Sequence, residues 1–218
     1  MVYIKTDIKT RKDKTDPNSE YGYWGAKSDM EEIAGIELMQ LLLKRDYMGV
    51  HEVLVGDKYR PYADVDCSEG ITEDNFKQRH LEIYFEARQI MEDVFPDSEI
   101  NCWCSSGQKE DGSWKVSFHF VATGFYFREK AHILFLLRDT PEMFDRNVYD
   151  KNHLLRLPYC TKPDSQRKLR KMEIKTMGRA KERFVRYYDA PDEHIIMDGL
   201  VTGVSEFEQE MPAPCGPI

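Results

Sequence analysis

The sequence lacks the features of a secreted or membrane-spanning protein. Its five cysteines are an odd number and contain no Cys-x-x-Cys pair, which argues against a disulfide framework. Cys102-x-Cys104 is the nearest approach to a zinc motif, but two thiols are half of a structural zinc site, so reduced core thiols are the better interpretation. The N-terminus has no signal peptide, and no apolar run approaches the roughly 20 residues that cross a bilayer. We therefore expect an intracellular protein without a membrane partner.

An excess of positive charge is also missing. The chain has 31 Lys and Arg against 39 Asp and Glu, and its net charge of -8 is unusual for a nucleic-acid-binding protein. The charge is segregated, however: residues 162–186 contain ten basic and three acidic side chains, whereas residues 189–210 contain seven acidic ones and no Lys or Arg. The basic block predicts either a surface that follows phosphates or a solvated helix with salt bridges. The acidic stretch could fold back on it.

The apolar residues predict one folded domain of the α+β class. A hydrophobic content of 41% excludes a disordered chain, and 218 residues suit a single domain. Short strands alternate with helices, which predicts a mixed or antiparallel sheet with helices on one side. The expected elements are a helix over 29–45, a hairpin of strands 50–55 and 59–66, a helix from a Thr72 cap to Phe95, strands 99–105 and 115–122, a helix over 128–138 and a strand over 153–158.

Two carboxylates lie two residues apart in the strand predicted before Cys67. Asp64 and Asp66 should point to the same face, because side chains alternate along a strand. Two such charges beside apolar Ala63 and Val65 repel each other unless something positive lies between them. Divalent cations with a preference for oxygen ligands are the usual partner. The spacing alone is also common in exposed hairpins, so it needs support from other residues.

A row of polar side chains follows a second predicted strand. Lys115, Ser117 and His119 share one face by the same alternation, while Phe118 points to the core. A cation and two hydrogen-bond donors in a row could bind an anion such as a triphosphate. A half-exposed strand with an ordinary polar side is the alternative. A nucleophilic Ser–His pair is disfavoured, because two groups on one strand rarely align as nucleophile and base.

Two further charged residues follow in apolar surroundings. Asp145 comes directly after Met143 and Phe144. Arg156 lies within an apolar strand, where an unpaired guanidinium group would be costly. The position of this arginine predicts an anionic partner, either a carboxylate or a ligand phosphate.

Taken together, these motifs resemble the archaeo-eukaryotic primase superfamily, in particular PrimPol-like enzymes and the primases of large DNA viruses. Residues 62–66 (YADVD) are similar to its paired acidic motif, 117–119 (SFH) to its Ser-x-His motif, and 144–145 (FD) to its third motif. Residues 105–107 (SSG) resemble the turn before the second motif, and the stretch FDRNVYDKNHLLRLPYCTKPDSQRKL resembles the block around the third. The resemblance covers about residues 55–170.

The resemblance implies a role for each matching residue. Asp64, Asp66 and Asp145 would be the catalytic ligands of two divalent ions, Mg²⁺ or Mn²⁺. The incoming nucleotide would be bound by the side chains of Lys115, Ser117, His119, Arg156, Lys162 and Ser106. From the basic block, we expect the single-stranded DNA template to contact Arg167, Lys168, Arg170 and Lys171.

The family also implies an architecture and partners. The expected fold is an RRM-like catalytic sheet with packed helices and a small N-terminal α/β unit. Within one domain of residues 1–218, we expect an N-terminal arm and helix over 1–48, a catalytic core over 49–170, and a basic then acidic segment over 171–218. A helicase domain following residue 218, or another replication partner, is a further expectation. The implied function is a DNA primase or DNA-directed polymerase that uses NTP or dNTP in viral replication.

Two other functions remain open at this stage. A nucleotide-sugar transferase could use Asp64-x-Asp66 with manganese, although such enzymes place this motif after a nucleotide-binding half of about a hundred residues. A catalytically inactive primase-fold module that only binds nucleic acid is the second alternative. The three carboxylates, Ser117 and His119 argue against loss of activity.

Overall fold

The computed structural model describes residues 2–5, 31–33, 35–47, 49–150, 153–161, 167–177 and 182–214. Its strands are β1 (Val2–Lys5), β2 (Glu31–Ile33), β3 (His51–Val53), β4 (Tyr62–Cys67), β5 (Glu99–Cys104), β6 (Gly107–Gln108), β7 (Trp114–Thr123), β8 (Phe125–Tyr126), β9 (Leu154–Arg156), β10 (Arg170–Met177), β11 (Glu182–Tyr188) and β12 (Gln209–Glu210). Its helices are α1 (Gly35–Lys44), α2 (Phe76–Val94), α3 (Lys130–Leu136), α4 (Glu193–Asp198) and a 3₁₀ turn (Arg146–Tyr149). The α+β class expected from the sequence is confirmed.

The larger sheet has the strand order β11-β10-β5-β7-β4, and β6 pairs with the outer end of β7. All these pairings are antiparallel. β7 lies between β4 and β5 and pairs with one of them along each of its two edges. The expected strands 99–105 and 115–122 are therefore present with small shifts of their ends.

Helix α2 covers one face of this sheet. Its buried residues include Ile83, Tyr84 and Met91, which recur at helical spacing, and the Tyr84 ring packs on Phe118 and Phe120. The helix begins after Asn75 rather than at the expected Thr72 cap. Thr72 and Asn75 instead bond reciprocally through backbone N–H groups and side-chain oxygens, which closes a turn before the helix. None of the helices in the described ranges combines the length and apolarity needed to cross a membrane.

The smaller sheet has the order β2-β1-β3-β9, again antiparallel throughout. Helices α1 and α4 pack beside it around a second apolar cluster that contains Leu38, Leu42 and Ile196. The helix expected over 29–45 is partly wrong, because residues 31–33 form a strand and the helix begins at Gly35. Residues 2–5 of the expected N-terminal arm form strand β1, whereas residues 6–30, which include Ser28, lie outside the described residues.

The expected hairpin of strands 50–55 and 59–66 is wrong. β3 pairs with β1 and β9, whereas β4 pairs with β7 in the other sheet. The turn-like sequence around Gly56 instead begins a connection that crosses from one sheet to the other. Tyr59 in this connection bonds to Phe127 through both backbone groups. A turn motif indicates a change of direction but not which strands become partners.

The basic block contains two antiparallel strands, β10 and β11, so the helical alternative for this segment is wrong. Buried Met172 and partly buried Ile174 alternate with charged residues at the spacing of a strand. β10 joins the larger sheet through the pairs Arg170–Cys104 and Lys171–Trp103. The acidic stretch does fold back on this block, since the same two basic residues form ion pairs, Arg170 with Asp189 at 3.0 Å and Lys171 with Asp198 at 3.7 Å.

The cysteines support the interpretation as core thiols. Cys102, Cys104 and Cys160 are free and buried, and Cys67 is free and partly buried. Cys215 lies outside the described residues. The Cys104 sulfur lies 3.4 Å from Nε2 of His80 beneath α2. Burial raises the pKa of Cys102 and Cys104, which keeps both thiols protonated and unreactive.

A buried ion pair attaches the C-terminal segment to the larger sheet. The Arg60 guanidinium donates to both oxygens of Glu208 and to the carbonyl oxygens of Met197 and Leu200, and the two paired side chains are each 6% exposed. Burial raises the pKa of Glu208, but the bonds from Arg60 and Ser205 outweigh it and lower the pKa.

A second buried carboxylate, on the smaller sheet, binds the same C-terminal segment. Glu52 on β3 accepts the N–H groups of Val201 and Thr202 at 2.9 and 2.6 Å, and the Thr202 hydroxyl at 2.6 Å. The residues after α4 are thus bonded to Glu52 and to Arg60 at once. Both sheets hold the same C-terminal segment.

Replacing Glu208 with alanine should destabilise the fold strongly. The change leaves the Arg60 charge buried without its carboxylate, a loss of about 3 kcal/mol in the free energy of unfolding. Urea denaturation measures the difference. Glu206→Ala is the matched control, because Glu206 is an exposed acid two residues away and should change stability by less than about 0.5 kcal/mol. Equal losses in the two variants would contradict a special role for the ion pair.

Candidate active site

Asp64 and Asp66 lie on β4 with β7 directly beside them. In the antiparallel register, Asp64 is opposite His119 and Asp66 is opposite Ser117. Residues opposite each other in a sheet share a face, so these four side chains lie on the face away from α2. The alternation read from the sequence is confirmed for both strands.

Each of these carboxylates is paired with a cation or imidazole from β7. The Lys115 ammonium nitrogen lies 2.6 Å from Asp66 Oδ2, and His119 Nε2 lies 3.1 Å from Asp64 Oδ1. The Asp64 and His119 side chains are only 15% and 14% exposed. The Lys115 ammonium group therefore pairs directly with a carboxylate of β4 in this structure.

Asp145 lies on the other side of β4. The backbone N–H of Asp145 donates to Asp64 O, and that of Asp66 donates to Met143 O, both at 2.8 Å. Val65 faces Phe144 in this antiparallel bridge, so Asp64 and Asp145 are cross-strand neighbours. The three carboxylates predicted as a set are thus brought to adjacent positions.

The Asp145 side chain also has a local partner. Its Oδ1 accepts the backbone N–H of Asn147 at 2.9 Å and the Asn147 amide at 2.7 Å. These bonds cap the 3₁₀ turn that follows. The cap holds the carboxylate in place beside β4.

The electrostatic balance at Asp64 favours the ionised carboxylate. Burial raises the pKa of Asp64, but His119, Lys115 and Arg156 act in the opposite direction and leave the pKa below its ordinary value. Even so, within the described part of the chain, the buried Oδ1 atom of Asp66 accepts no hydrogen bond, and that of Asp64 has His119 Nε2 at 3.1 Å as its one close partner. A buried carboxylate oxygen without a donor is costly and calls for a cationic partner.

Arg156 reaches this site from β9 of the smaller sheet. Its side chain donates to the Ser105 hydroxyl at 2.6 Å and to the Arg167 carbonyl at 2.9 Å. Burial lowers the pKa of Arg156 to about 10, with Asp64 opposing the shift, so the group stays charged at neutral pH. The sequence predicted an anion in contact with Arg156. Among the described residues, its hydrogen bonds go to neutral oxygens, and Asp64 acts on its charge through space.

Ser105, Ser106 and Ser117 form a hydrogen-bonded group between Arg156 and β7. The Ser105 hydroxyl donates to the Ser117 hydroxyl at 3.2 Å. The Ser106 hydroxyl accepts the Ser117 N–H at 2.9 Å and donates to the Ser117 carbonyl at 3.2 Å. Ser106 thus has a structural role in this state, and Ser105 connects Arg156 to the polar row.

Sequence reasoning missed Ser105 and Tyr149 as members of this site. Tyr149 donates from its hydroxyl to the carbonyl of Tyr62, and burial together with Asp64 and Asp145 raises its pKa. Its position four residues after Asp145 could have indicated that Tyr149 belongs to the site. His153 also lies near these acids: burial lowers its pKa, while Asp64 and Asp145 oppose the shift.

The expected template-binding residues lie around the start of β10. Arg167 donates to the Ser105 carbonyl at 3.2 Å, and Lys168 is exposed. Arg170 and Lys171 form the ion pairs with acids described above. Arg167, Lys168 and Arg170 line a pocket of about 530 Å³ that reaches Ser106. Lys162, expected to contact the nucleotide, lies outside the described residues.

Replacing Ser105 with alanine should destabilise the protein by removing the hydroxyl that accepts from Arg156. A buried guanidinium then loses a charge-assisted hydrogen bond, which costs about 1.5–3 kcal/mol in the free energy of unfolding. Chemical denaturation measures the change. Ser113→Ala is the control, because Ser113 is exposed and its hydroxyl donates to the exposed neighbour Asp111. A Ser105→Ala protein as stable as the control would show that water replaces the hydroxyl.

Comparison with known proteins adds no relative. No protein-family model matches the chain, and no curated protein matches it. The chemistry of the site therefore has to be argued from its own carboxylates, cations and hydroxyls.

Proposed function

We propose that the protein is a primase–polymerase that joins NTP or dNTP on a single-stranded DNA template. The observation that carries this proposal is the cluster of Asp64, Asp66 and Asp145 beside a cationic row, in which, among the described residues, the buried Oδ1 of Asp66 has no hydrogen-bond donor and that of Asp64 has only the His119 contact. Nucleotidyl transfer requires charge neutralisation and positioning more than covalent catalysis. A site that combines clustered acids with a neighbouring anion-binding row suits that requirement.

The donor set fits divalent cations at Asp64 and Asp66. Within the described residues, Asp66 Oδ1 has no hydrogen-bond donor and Asp64 Oδ1 has only His119 beside it, and hard cations such as Mg²⁺ and Mn²⁺ prefer carboxylate oxygens. Asp145 would complete the set from the neighbouring bridge. In the described residues, no three His, Cys, Asp or Glu side chains are arranged to hold a metal ion; Lys115 contacts Asp66, and Asn147 contacts Asp145. Bound cations would activate a sugar hydroxyl and neutralise charge on the departing pyrophosphate.

The polar row of β7 would receive the triphosphate. Lys115 and His119 already lie against the acids, so a nucleotide with its cations can take over both contacts with little rearrangement of the backbone. The Ser117 hydroxyl is oriented by Ser105 and offers a neutral donor between them. Arg156 stays behind this row and keeps the local potential favourable for an anion.

The same proposal includes an assignment of the two sheets. We take the larger sheet as the RRM-like catalytic sheet of the primase superfamily. The smaller sheet joins β1 and β2 of the N-terminal unit to β3 and β9, which belong to residues 49–170. The antiparallel order of β4, β7 and β5, with α2 on the opposite face from the acids, supports this assignment.

Divalent cations should raise the melting temperature of the wild-type protein. Binding to the native state alone stabilises it by mass action. Asp64→Asn should abolish the shift with Mg²⁺ or Mn²⁺, because the amide removes a charge and one ligand oxygen. Asp139→Asn is the control, since Asp139 is 87% exposed and forms an ion pair with neighbouring Arg138 on the surface. A shift that persists in Asp64→Asn would place the cations elsewhere.

The activity assay uses single-stranded DNA, labelled nucleotides and Mg²⁺ or Mn²⁺, with and without an annealed primer. We expect metal-dependent products that fall by at least about 100-fold in Asp64→Ala and Asp145→Ala, because each change removes a charge that positions the cations. Products formed without a primer would identify a primase.

Two results of this assay would contradict the proposal. The absence of products under all conditions, with DNA binding retained, would favour the inactive binding module. Turnover of a nucleotide sugar without DNA would favour the transferase. The Asp139→Asn protein should match the wild type in every arm.

A further inference from the structure

The outer part of the basic block forms a two-stranded ribbon with a distinct face. Its cross-strand pairs are Lys171 with Tyr188, Glu173 with Arg186 and Lys175 with Phe184. Opposite residues share a face, so these six side chains lie together. We call this set the ribbon face. The opposite side of the ribbon packs towards α2, where Arg183 lies over the ring of Phe85.

Phe184 is an unusual residue for a solvated strand. It is 39% exposed, although a phenylalanine ring gains free energy from burial. It lies opposite Lys175, whose side chain is 42% exposed. An exposed ring beside an ammonium group offers one surface for a planar base and one charge for a phosphate.

Arg186 provides a second planar group on the ribbon face. Its guanidinium lies over the Tyr188 ring at 4.7 Å from the centroid. Its opposite residue Glu173 is occupied by the Tyr188 hydroxyl at 2.6 Å and by Lys175 at 3.5 Å. No carboxylate in the described ranges pairs with Arg186. The charge of this guanidinium is therefore available to an external anion.

The ribbon face lies on the same side of the larger sheet as the carboxylates. Lys171 is opposite Trp103, Trp103 is opposite His119, and His119 is opposite Asp64. Four strand spacings separate β4 from β11, which is roughly 19 Å. The middle of this face is covered, because Trp103 is 1% exposed and the backbone of Gly199 lies against its ring. The ribbon face is thus a separate contact area at some distance from the acids.

We infer that the ribbon face binds single-stranded nucleic acid by stacking bases on Phe184 and on the Arg186–Tyr188 pair, with Lys175 contacting a phosphate. The inference rests on the proposed function, because it supplies a contact for the template away from the carboxylates. Single strands expose the flat faces of their bases, and exposed aromatic rings beside basic groups bind them with little sequence preference. A duplex hides those faces and would lose the stacking contribution.

The test measures binding of a fluorescein-labelled oligodeoxythymidine by fluorescence anisotropy. Phe184→Leu keeps an apolar side chain of similar burial but removes the ring, and we expect it to weaken binding by roughly 5-fold to 100-fold. Phe184→Trp should keep the affinity or increase it. Phe207→Leu is the matched control, because Phe207 is another exposed ring, 87% exposed, in the segment between α4 and β12.

A second variant separates stacking from charge. Arg186→Gln should weaken binding and also reduce the dependence of affinity on salt, since a phosphate contact releases counterions. Phe184→Leu should leave the salt dependence unchanged. A duplex of the same length should bind the wild type and Phe184→Leu equally.

The outcomes distinguish this inference from the proposed function. Unchanged oligonucleotide affinity in Phe184→Leu, or an equal loss in Phe207→Leu, would overturn the ribbon face as a stacking surface. Weakened binding in Phe184→Leu, without polymerase products from the wild type, would support the ribbon face and contradict the proposed activity. Products from the wild type with unchanged binding in Phe184→Leu would do the reverse.

Discussion

Strand β7 meets two different environments, and its pleat assigns each side chain to one of them. The side chains that face α2 are those of Val116, Phe118 and Phe120. The side chains that face the carboxylates are those of Lys115, Ser117 and His119. A shift of one residue in the register would exchange the two sets and place two charged or ionisable groups in the apolar core. The packing of α2 therefore holds the polar row in register with Asp64 and Asp66, and stability of the core and geometry of the site have a common cause.

Charge compensation then couples the two sheets. Asp64 is buried, and its ionised form is maintained by His119 from the neighbouring strand and by Arg156 from the smaller sheet. Arg156 is itself buried and keeps an Nε atom without a hydrogen-bond partner among the described residues. Burial disfavours each of these two charges, and the opposite charge offsets part of that cost. Ser105 connects Arg156 to the polar row of β7, because its hydroxyl accepts from Arg156 and donates to Ser117. Several groups of the site thus carry buried charges or hydrogen-bonding atoms that the protein satisfies only in part. This is typical of a site that binds a charged ligand.

The sequence predicts those features that depend on one segment and its own periodicity. The shared face of Asp64 and Asp66 and the long helix after residue 75 follow from spacing alone, and both are present. The hairpin before residue 66 was wrong because strand pairing depends on distant partners, here β1, β7 and β9. The helical alternative for the basic block was wrong because dense charge hides the two-residue alternation of Met172 and Ile174. Ser105 was missed because its role exists only when Arg156 arrives from 51 positions away.

The acidic excess of the chain does not argue against a nucleic-acid partner, because charges act locally. At physiological salt, exposed charges more than about 8 Å apart are largely screened. Three of the seven acids after residue 188 are also engaged in ion pairs with this part of the protein: Asp189 pairs with Arg170, Asp198 with Lys171, and Glu208 with Arg60. They neutralise the inner end of β10 and the start of β4. Arg186 lies further along the ribbon, beside the partly buried ring of Tyr188 and near the exposed ring of Phe184. The net charge is an average over all these regions. An anionic nucleic-acid strand would instead interact separately with the ribbon and with the polar row on β7.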